Sequence, residues 1–201
     1  MLIQLEESQL VLIDYSVGKL AAIEHSEGIT RAAGMLAQVA KLLNVPVWGT
    51  EQTGPQEAPM QGELRVLCQN VVSKTYFDAC EHGLTELLKG PAKPSTQGNA
   101  RSLPKHLQKQ EAPTEKMTVL LAGCETHLSV LQTALSLVDQ EFDVCLVTDA
   151  CAAVQSHNHD SALDRLAGAG VELVTLEMVV FEWLGSTQHP SFEKAMRLLG
   201  R

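Results

Sequence analysis

Apolar residues along this chain follow two rhythms. Short continuous apolar runs alternate with stretches in which apolar positions recur every three or four residues, and Gly, Pro and Asn mark the joins. A continuous run bounded by turn residues fits a strand buried on both faces, and the longer spacing fits a helix with one apolar face. Residues 9–15 (QLVLIDY) therefore form a first strand, with Asp14 at its carboxyl end. Ile29, Ala32, Ala33, Leu36, Val39, Ala40 and Leu43 line one face of a helix over 29–44. Residues 45–50 (VPVWGT) form a second strand, with Pro46 tolerated near its start. Gly54, Pro55, Pro59 and Gly62 mark 51–63 as a loop. A short strand is expected at 71–74 and a helix at 84–89. The stretch 90–100 (GPAKPSTQGNA) is expected as a loop, followed by a helix over 102–110 with Pro104 in its first turn.

The clearest alternation follows. Residues 117–122 are a continuous apolar strand, 123–126 a turn and 128–138 a helix. Residues 143–148 form another strand, followed by Asp149, which is expected as a cap connecting to a helix. Ser156 is the expected N-cap of a helix over 157–169 that Gly170 stops. A strand over 171–175, a helix over 177–184 and, after the break at His189-Pro190, a last helix over 191–199 complete the chain. Strands and helices alternating at this spacing predict a three-layer α/β fold, a mainly parallel sheet with helices on both faces. The 201 residues suffice for one sizeable core and are short for two, so 1–201 is expected to be a single domain.

Composition narrows the function. Hydrophobic residues make up 45% and charged residues 19%, a globular balance. Lys and Arg total 15 against 24 Asp and Glu, a net charge of −9. With no basic cluster, neither nucleic acid nor an anionic membrane surface is an expected partner. No apolar run approaches the roughly 20 residues that span a bilayer, and the start (MLIQLEE) lacks the basic region and cleavage site of a signal peptide. The five cysteines form no CxxC pair, which fits reduced thiols and a cytoplasmic location. Neither GxGxxG nor GxxxxGK[ST] occurs, so no nucleotide cofactor is expected.

In an open parallel sheet, sites lie beyond the carboxyl ends of the strands. Asp14, Lys74 and the strand-to-helix turn 123–129 (GCETHLS) qualify. An acid, an ammonium and a nucleophile at an amide-rich helix start fit acyl transfer or hydrolysis. Taken singly, they equally fit a strand-end hydrogen-bonding group, a surface charge and a helix residue. Trp48, Tyr76 and Phe77 follow strands and are candidate walls of a small-molecule pocket, with core packing as the competing role. His157, His159 and Asp160 form a sequence cluster, but residues two apart on a helix do not share a face, so a structural role is expected.

The segments LVLID, SKTYFDA, LLAGCETHLSVLQTAL and VTDAC, with the closing HPSFEKAMRLL, resemble the isochorismatase-like hydrolases, the cysteine hydrolase superfamily, and most of all its isochorismatase domain-containing branch. The resemblance runs from about residue 9 to the carboxyl terminus, and the GCETH block is its most specific part. It implies a six-stranded, Rossmann-like parallel sheet, a homo-oligomer, and hydrolysis of a small amide, ester or vinyl ether. It also implies an Asp-Lys-Cys triad, of which Asp14 and Lys74 match two members. Ser129 occupies the position of the nucleophile. The same match implies a cis bond between Cys124 and Glu125 and an oxyanion hole built from the N–H groups of Glu125 and Ser129. By the family route Asp14 takes the nucleophile's proton and Lys74 stabilises charge. Nicotinamidases of the superfamily hold a metal through an Asp-x-His pair; the matching stretch here is Thr50-Glu51-Gln52, so no metal is expected.

A hydroxyl is a harder nucleophile to ionise than a thiol, by on the order of 10 kcal/mol. Four accounts of Ser129 stay open at this point. The chain is a degenerate member that binds a ligand or partner; an active hydrolase in which Lys74 serves as base to Ser129; a protein with an engineered exchange of Cys for Ser; or a site where Asp14 activates water. Cys124 as a displaced nucleophile is set against the ordinary role of a small buried residue in a tight turn. The function expected is a family hydrolase of weak or absent turnover, with a non-catalytic ligand-binding or assembly protein as the alternative.

Overall fold

The computed structural model describes residues 2–55, 57–90 and 118–201. The loop expected at 90–100, apart from Gly90, and the helix expected at 102–110 lie outside the described residues. Six strands, β1 (Ser8–Ile13), β2 (Val47–Gln52), β3 (Asn70–Lys74), β4 (Thr118–Cys124), β5 (Asp143–Ala152) and β6 (Glu172–Val174), form one sheet in the order β3-β2-β1-β4-β5-β6. Every neighbouring pair is parallel. The mainly parallel six-stranded expectation thus holds, and the sheet is parallel throughout.

Alternation along each strand divides the core into two layers. Leu10 and Leu12 of β1 and Leu120 and Ala122 of β4 pack on one face with α1 (Val17–Ala22), α2 (Ser26–Leu42), α3 (Gly62–Arg65), α7 (Leu176–Leu184) and α8 (Phe192–Leu198). Val11, Ile13, Val119 and Leu121 point the other way, against α4 (Leu84–Lys89), α5 (Leu131–Asp139) and α6 (Ser156–Gly168). Since both faces are covered, Leu10–Ile13 of β1 and Val119–Ala122 of β4 are continuous apolar runs. Enclosing a leucine such as Leu120 contributes roughly 2 kcal/mol.

Some boundaries moved for identifiable reasons. β2 runs on to Gln52 because Glu51 and Gln52 pair with Ser73 and Lys74 of β3. These polar strand-end residues resemble a loop in sequence. β5 extends past Thr148 to Ala152 through a register shift against β4, where Leu121 pairs with Leu146 but Gly123 with Cys151. The shift breaks the period of two: Cys145 and Val147 face the same layer as Ala150 and Ala152. Asp149 lies in that irregular stretch and its carboxylate accepts the Leu176 N–H at 2.8 Å, satisfying the first turn of α7. Ser156 is the first residue of α6 rather than its cap; extended Gln155 holds the cap position, after Val154 N–H is taken by the Glu125 carboxylate at 2.9 Å. Gly170, at φ +91°, follows the end of α6 with a positive φ, as expected of a stop. Among the described residues, no helix is long and apolar enough to cross a membrane.

Candidate active site

The chain leaves β1 in one direction to β2 and returns through β4 on the other side of β1, so the switch point of the sheet lies at the carboxyl ends of β1 and β4. Asp14 follows β1 there. Its backbone is left-handed, at φ +53°, an excursion that Asp tolerates better than most residues. The Asp14 N–H reaches Thr50 O at 3.2 Å, and its carbonyl accepts from Ser16 N–H at 2.7 Å. Lys74 arrives as the last residue of β3, and Ser129 lies in a widened, π-type helical turn, Thr126–Val130, just after β4.

The three expected residues come together. Ser129 Oγ donates to Asp14 Oδ2 at 2.6 Å, and Lys74 Nζ donates to the same oxygen at 2.8 Å. Lys74 Nζ also lies 3.2 Å from Ser129 Oγ. All three side chains are buried. Sequence reasoning missed three further members. Thr50 Oγ1 donates to Asp14 Oδ1 at 2.7 Å, Gln52 Oε1 accepts from Lys74 Nζ at 2.7 Å, and Lys19 Nζ lies 3.1 Å from Asp14 Oδ2. Thr50 had a signal as the last residue of the expected second strand, whereas Gln52 had none, because it resembles a loop residue until β2 is seen to run on and place both on one face. Lys19 had none, because α1 is too short to show a helical period.

Electrostatics sets the character of the cluster. Burial pushes the Asp14 carboxyl up, but the Lys74 and Lys19 charges and the hydrogen bonds from Lys74 and Ser129 outweigh it and hold it below its ordinary value. Burial pulls Lys74 below the ordinary lysine value more strongly than Asp14 restores it. The site is thus a carboxylate that resists protonation beside an ammonium that holds its proton less tightly than an exposed lysine does.

The turn that carries Ser129 is closely packed. A Cβ on Gly123 would lie 2.5 Å from the Ile13 carbonyl oxygen and 2.9 Å from Val130 Cγ2, so only glycine fits where β4 passes β1. The Cys124–Glu125 peptide bond is cis. The Cys124 thiol is buried and pushed up to about 12, chiefly by burial, so it carries no thiolate at neutral pH. His127 turns to α6, with Nε2 3.4 Å from Asn158 Nδ2, and His159 Nδ1 lies 2.9 Å from Thr126 Oγ1. Neither histidine touches the cluster. Among the described residues, no group of His, Cys, Asp and Glu is arranged to hold a metal ion.

The aromatic residues divide. Tyr76 lends its carbonyl to Lys74 Nζ at 3.3 Å, its ring lies tilted over His82 at 5.4 Å, and it and Phe77 are exposed at this end of the molecule. Trp48 is not brought to the site. It lies near the start of β2, with Nε1 on Gln9 Oε1 at 2.9 Å and its ring against the layer of α4 to α6.

The fold is a parallel αβα sandwich that gathers a carboxylate, a lysine and a hydroxyl at its switch point. The Isochorismatase domain model matches residues 8–178, and the chain belongs to that family. Isochorismatase domain-containing protein 2 of Bos taurus is 30% identical over 96% of this chain and 82% of its own length. The secreted isochorismatase effector Isc1 of Phytophthora sojae is 28% identical over 85% of this chain and 74% of its own. Among solved structures, the MAR1 ribonuclease of Caenorhabditis elegans superposes with a TM-score of 0.83 at 22% identity, covering 100% of this chain and 93% of its own. YcaC of Escherichia coli, described as an octameric hydrolase of unknown specificity, gives 0.74 at 22% identity over 98% and 96%. At such identities the likeness establishes the fold.

Proposed function

We propose that this protein is a hydrolase of small amides, esters or vinyl ethers in the isochorismatase domain-containing branch, with Ser129 as the attacking group in the position the resemblance gives to cysteine. One observation carries the reading: Ser129 Oγ stands 2.6 Å from Asp14 Oδ2 and 3.2 Å from Lys74 Nζ, within hydrogen-bond reach of both members of the pair. On an ester or amide, Oγ bonds to the carbonyl carbon and the π pair of the carbonyl moves onto its oxygen. The N–H groups of Glu125 and Ser129 are assigned to that oxyanion. The Asp14–Lys74 pair takes the proton and returns it to the leaving group. Tyr76 and Phe77 are assigned as pocket walls, and a homo-oligomer is proposed with support from the octameric YcaC neighbour. The five free cysteines fit a reducing, cytoplasmic setting.

The test is a hydrolysis screen over small amides, esters and isochorismate with the protein, Ser129→Cys, Ser129→Ala and Asp14→Ala. Turnover by the protein that disappears in Ser129→Ala and Asp14→Ala is expected. Turnover by the Cys variant alone would show an intact site silenced at position 129. Full activity in Ser129→Ala would transfer the chemistry to water.

A further inference from the structure

Asp14, Lys74 and Ser129 suffice for the proposed chemistry, which leaves the second lysine without a role. Lys19 sits in α1, where its N–H reaches Ser16 Oγ at 3.4 Å and its ammonium lies 3.1 Å from Asp14 Oδ2. That oxygen also holds Lys74 Nζ at 2.8 Å and Ser129 Oγ at 2.6 Å. With every group ionised, one carboxylate faces two ammoniums and the cluster carries an excess positive charge. Burial penalises net charge, and loss of a single proton would remove it. The Lys74 side chain is fully enclosed, whereas 17% of the Lys19 side chain reaches solvent. Lys74 is therefore the cheaper of the two to neutralise.

The surroundings of Lys74 suit a neutral amine. A neutral amine keeps two N–H groups, for which Asp14 Oδ2 at 2.8 Å and Gln52 Oε1 at 2.7 Å are the near acceptors, with Tyr76 O farther off at 3.3 Å, and Ser129 Oγ lies 3.2 Å from the same nitrogen. The charged groups that face it are Asp14 beyond β1, Lys19 on α1 and exposed Glu57 in the loop after β2. Asp14 and Glu57 favour its ammonium; Lys19 and burial oppose it. Neighbouring Glu51 is occupied by Arg65 at 2.5 Å and Ser73 at 3.0 Å.

We infer that Lys19 is a positioning residue that holds the Asp14 carboxylate in a standing ion pair, leaving Lys74 free to act as a neutral amine that takes the Ser129 proton. The inference rests on the reading of Ser129 as the attacking group. In the step, the Ser129 proton moves to the Lys74 lone pair as Oγ bonds to the carbonyl carbon. The new ammonium then gives that proton to the departing amine or alcohol, and water repeats the exchange on the acyl-enzyme. Asp14 stays ionised throughout, paired with Lys19.

The experiment follows the 15N-labelled ε-amine of Lys74 by NMR titration, and the pH dependence of Ser129 phosphonylation by a small alkyl fluorophosphonate, read by intact mass. The proteins are the unmodified chain, Lys19→Met, Lys19→Gln and Lys19→Arg; two neutral variants are included in case one does not fold. In the neutral variants the Lys74 midpoint is expected to rise by about one pH unit, with labelling at neutral pH falling about tenfold and its profile moving by the same amount. Lys19→Arg is expected to restore the original profile. A purely structural role would lower labelling without moving the midpoint. An unmoved Lys74 midpoint in a folded neutral variant overturns the inference. A raised midpoint with Ser129 unlabelled in every protein would uphold the charge role of Lys19 and overturn the nucleophile reading instead.

Discussion

At the scale of single residues, Asp14 is the hub. Its two oxygens accept from Thr50, Ser129, Lys74 and Lys19, and it is the buried carboxylate that faces both lysines. Removing one partner of a buried pair leaves the other uncompensated, at a cost of about 3–5 kcal/mol. Asp14→Asn, which keeps the shape but not the charge, is expected to lose an amount of that order at neutral pH, measured as a lowered denaturation midpoint with an unchanged slope. Gly123 is constrained by space rather than charge. Gly123→Ala forces a Cβ into the Ile13 backbone, and overpacking of this kind costs about 1–3 kcal/mol. Because the same backbone carries Ser129, fluorophosphonate labelling should fall along with stability. Cys124 is expected to resist iodoacetamide at pH 8 in the native protein and to react once unfolded, since burial holds its thiol at about 12; rapid native-state labelling would contradict this.

At the scale of elements, the short and irregular pieces build the site, while the regular ones build the core. α2 and β4 were legible because periodic apolar positions announce them. α1, one and a half turns long, was not, and it delivers Lys19. The widened turn at Thr126–Val130 was expected as an ordinary turn and helix start, yet it sets where Ser129 meets Asp14. Asp149 shows how an irregular strand can serve a neighbouring helix: Asp149→Ala leaves the Leu176 N–H at the start of α7 without its 2.8 Å partner. A loss of about 1–2 kcal/mol is expected, with Asp149→Asn recovering most of it, as read by thermal unfolding.

At the scale of the whole molecule, burial of the charged cluster links stability to pH. The folded Asp14 binds a proton less tightly than the unfolded chain, whose carboxyl titrates at its ordinary 3.8. Its ionised form therefore stabilises the fold above that value, and the contribution is lost as pH falls through the lower folded value. Unfolding free energy should drop in this acid window for the unmodified protein and drop less for Asp14→Asn; equal slopes would mean that Asp14 is not the group responsible. Lys74 acts at the alkaline end. Its folded value lies below the ordinary 10.5, so between the two the unfolded chain binds more protons and stability rises with pH.

The layered α/β architecture, its six strands, and the placing of Asp14, Lys74 and the turn 123–129 after strands were determined by the sequence alone, because apolar periodicity and turn residues are local properties of the chain, while the resemblance singled out Ser129 within that turn. Only the tertiary structure decided that those three groups share one carboxylate oxygen, that Lys19, Thr50 and Gln52 join them, and that Trp48 does not. These facts depend on the register between strands far apart in sequence and on a charge balance that exists only once the cluster is enclosed, and no window of neighbouring residues encodes either.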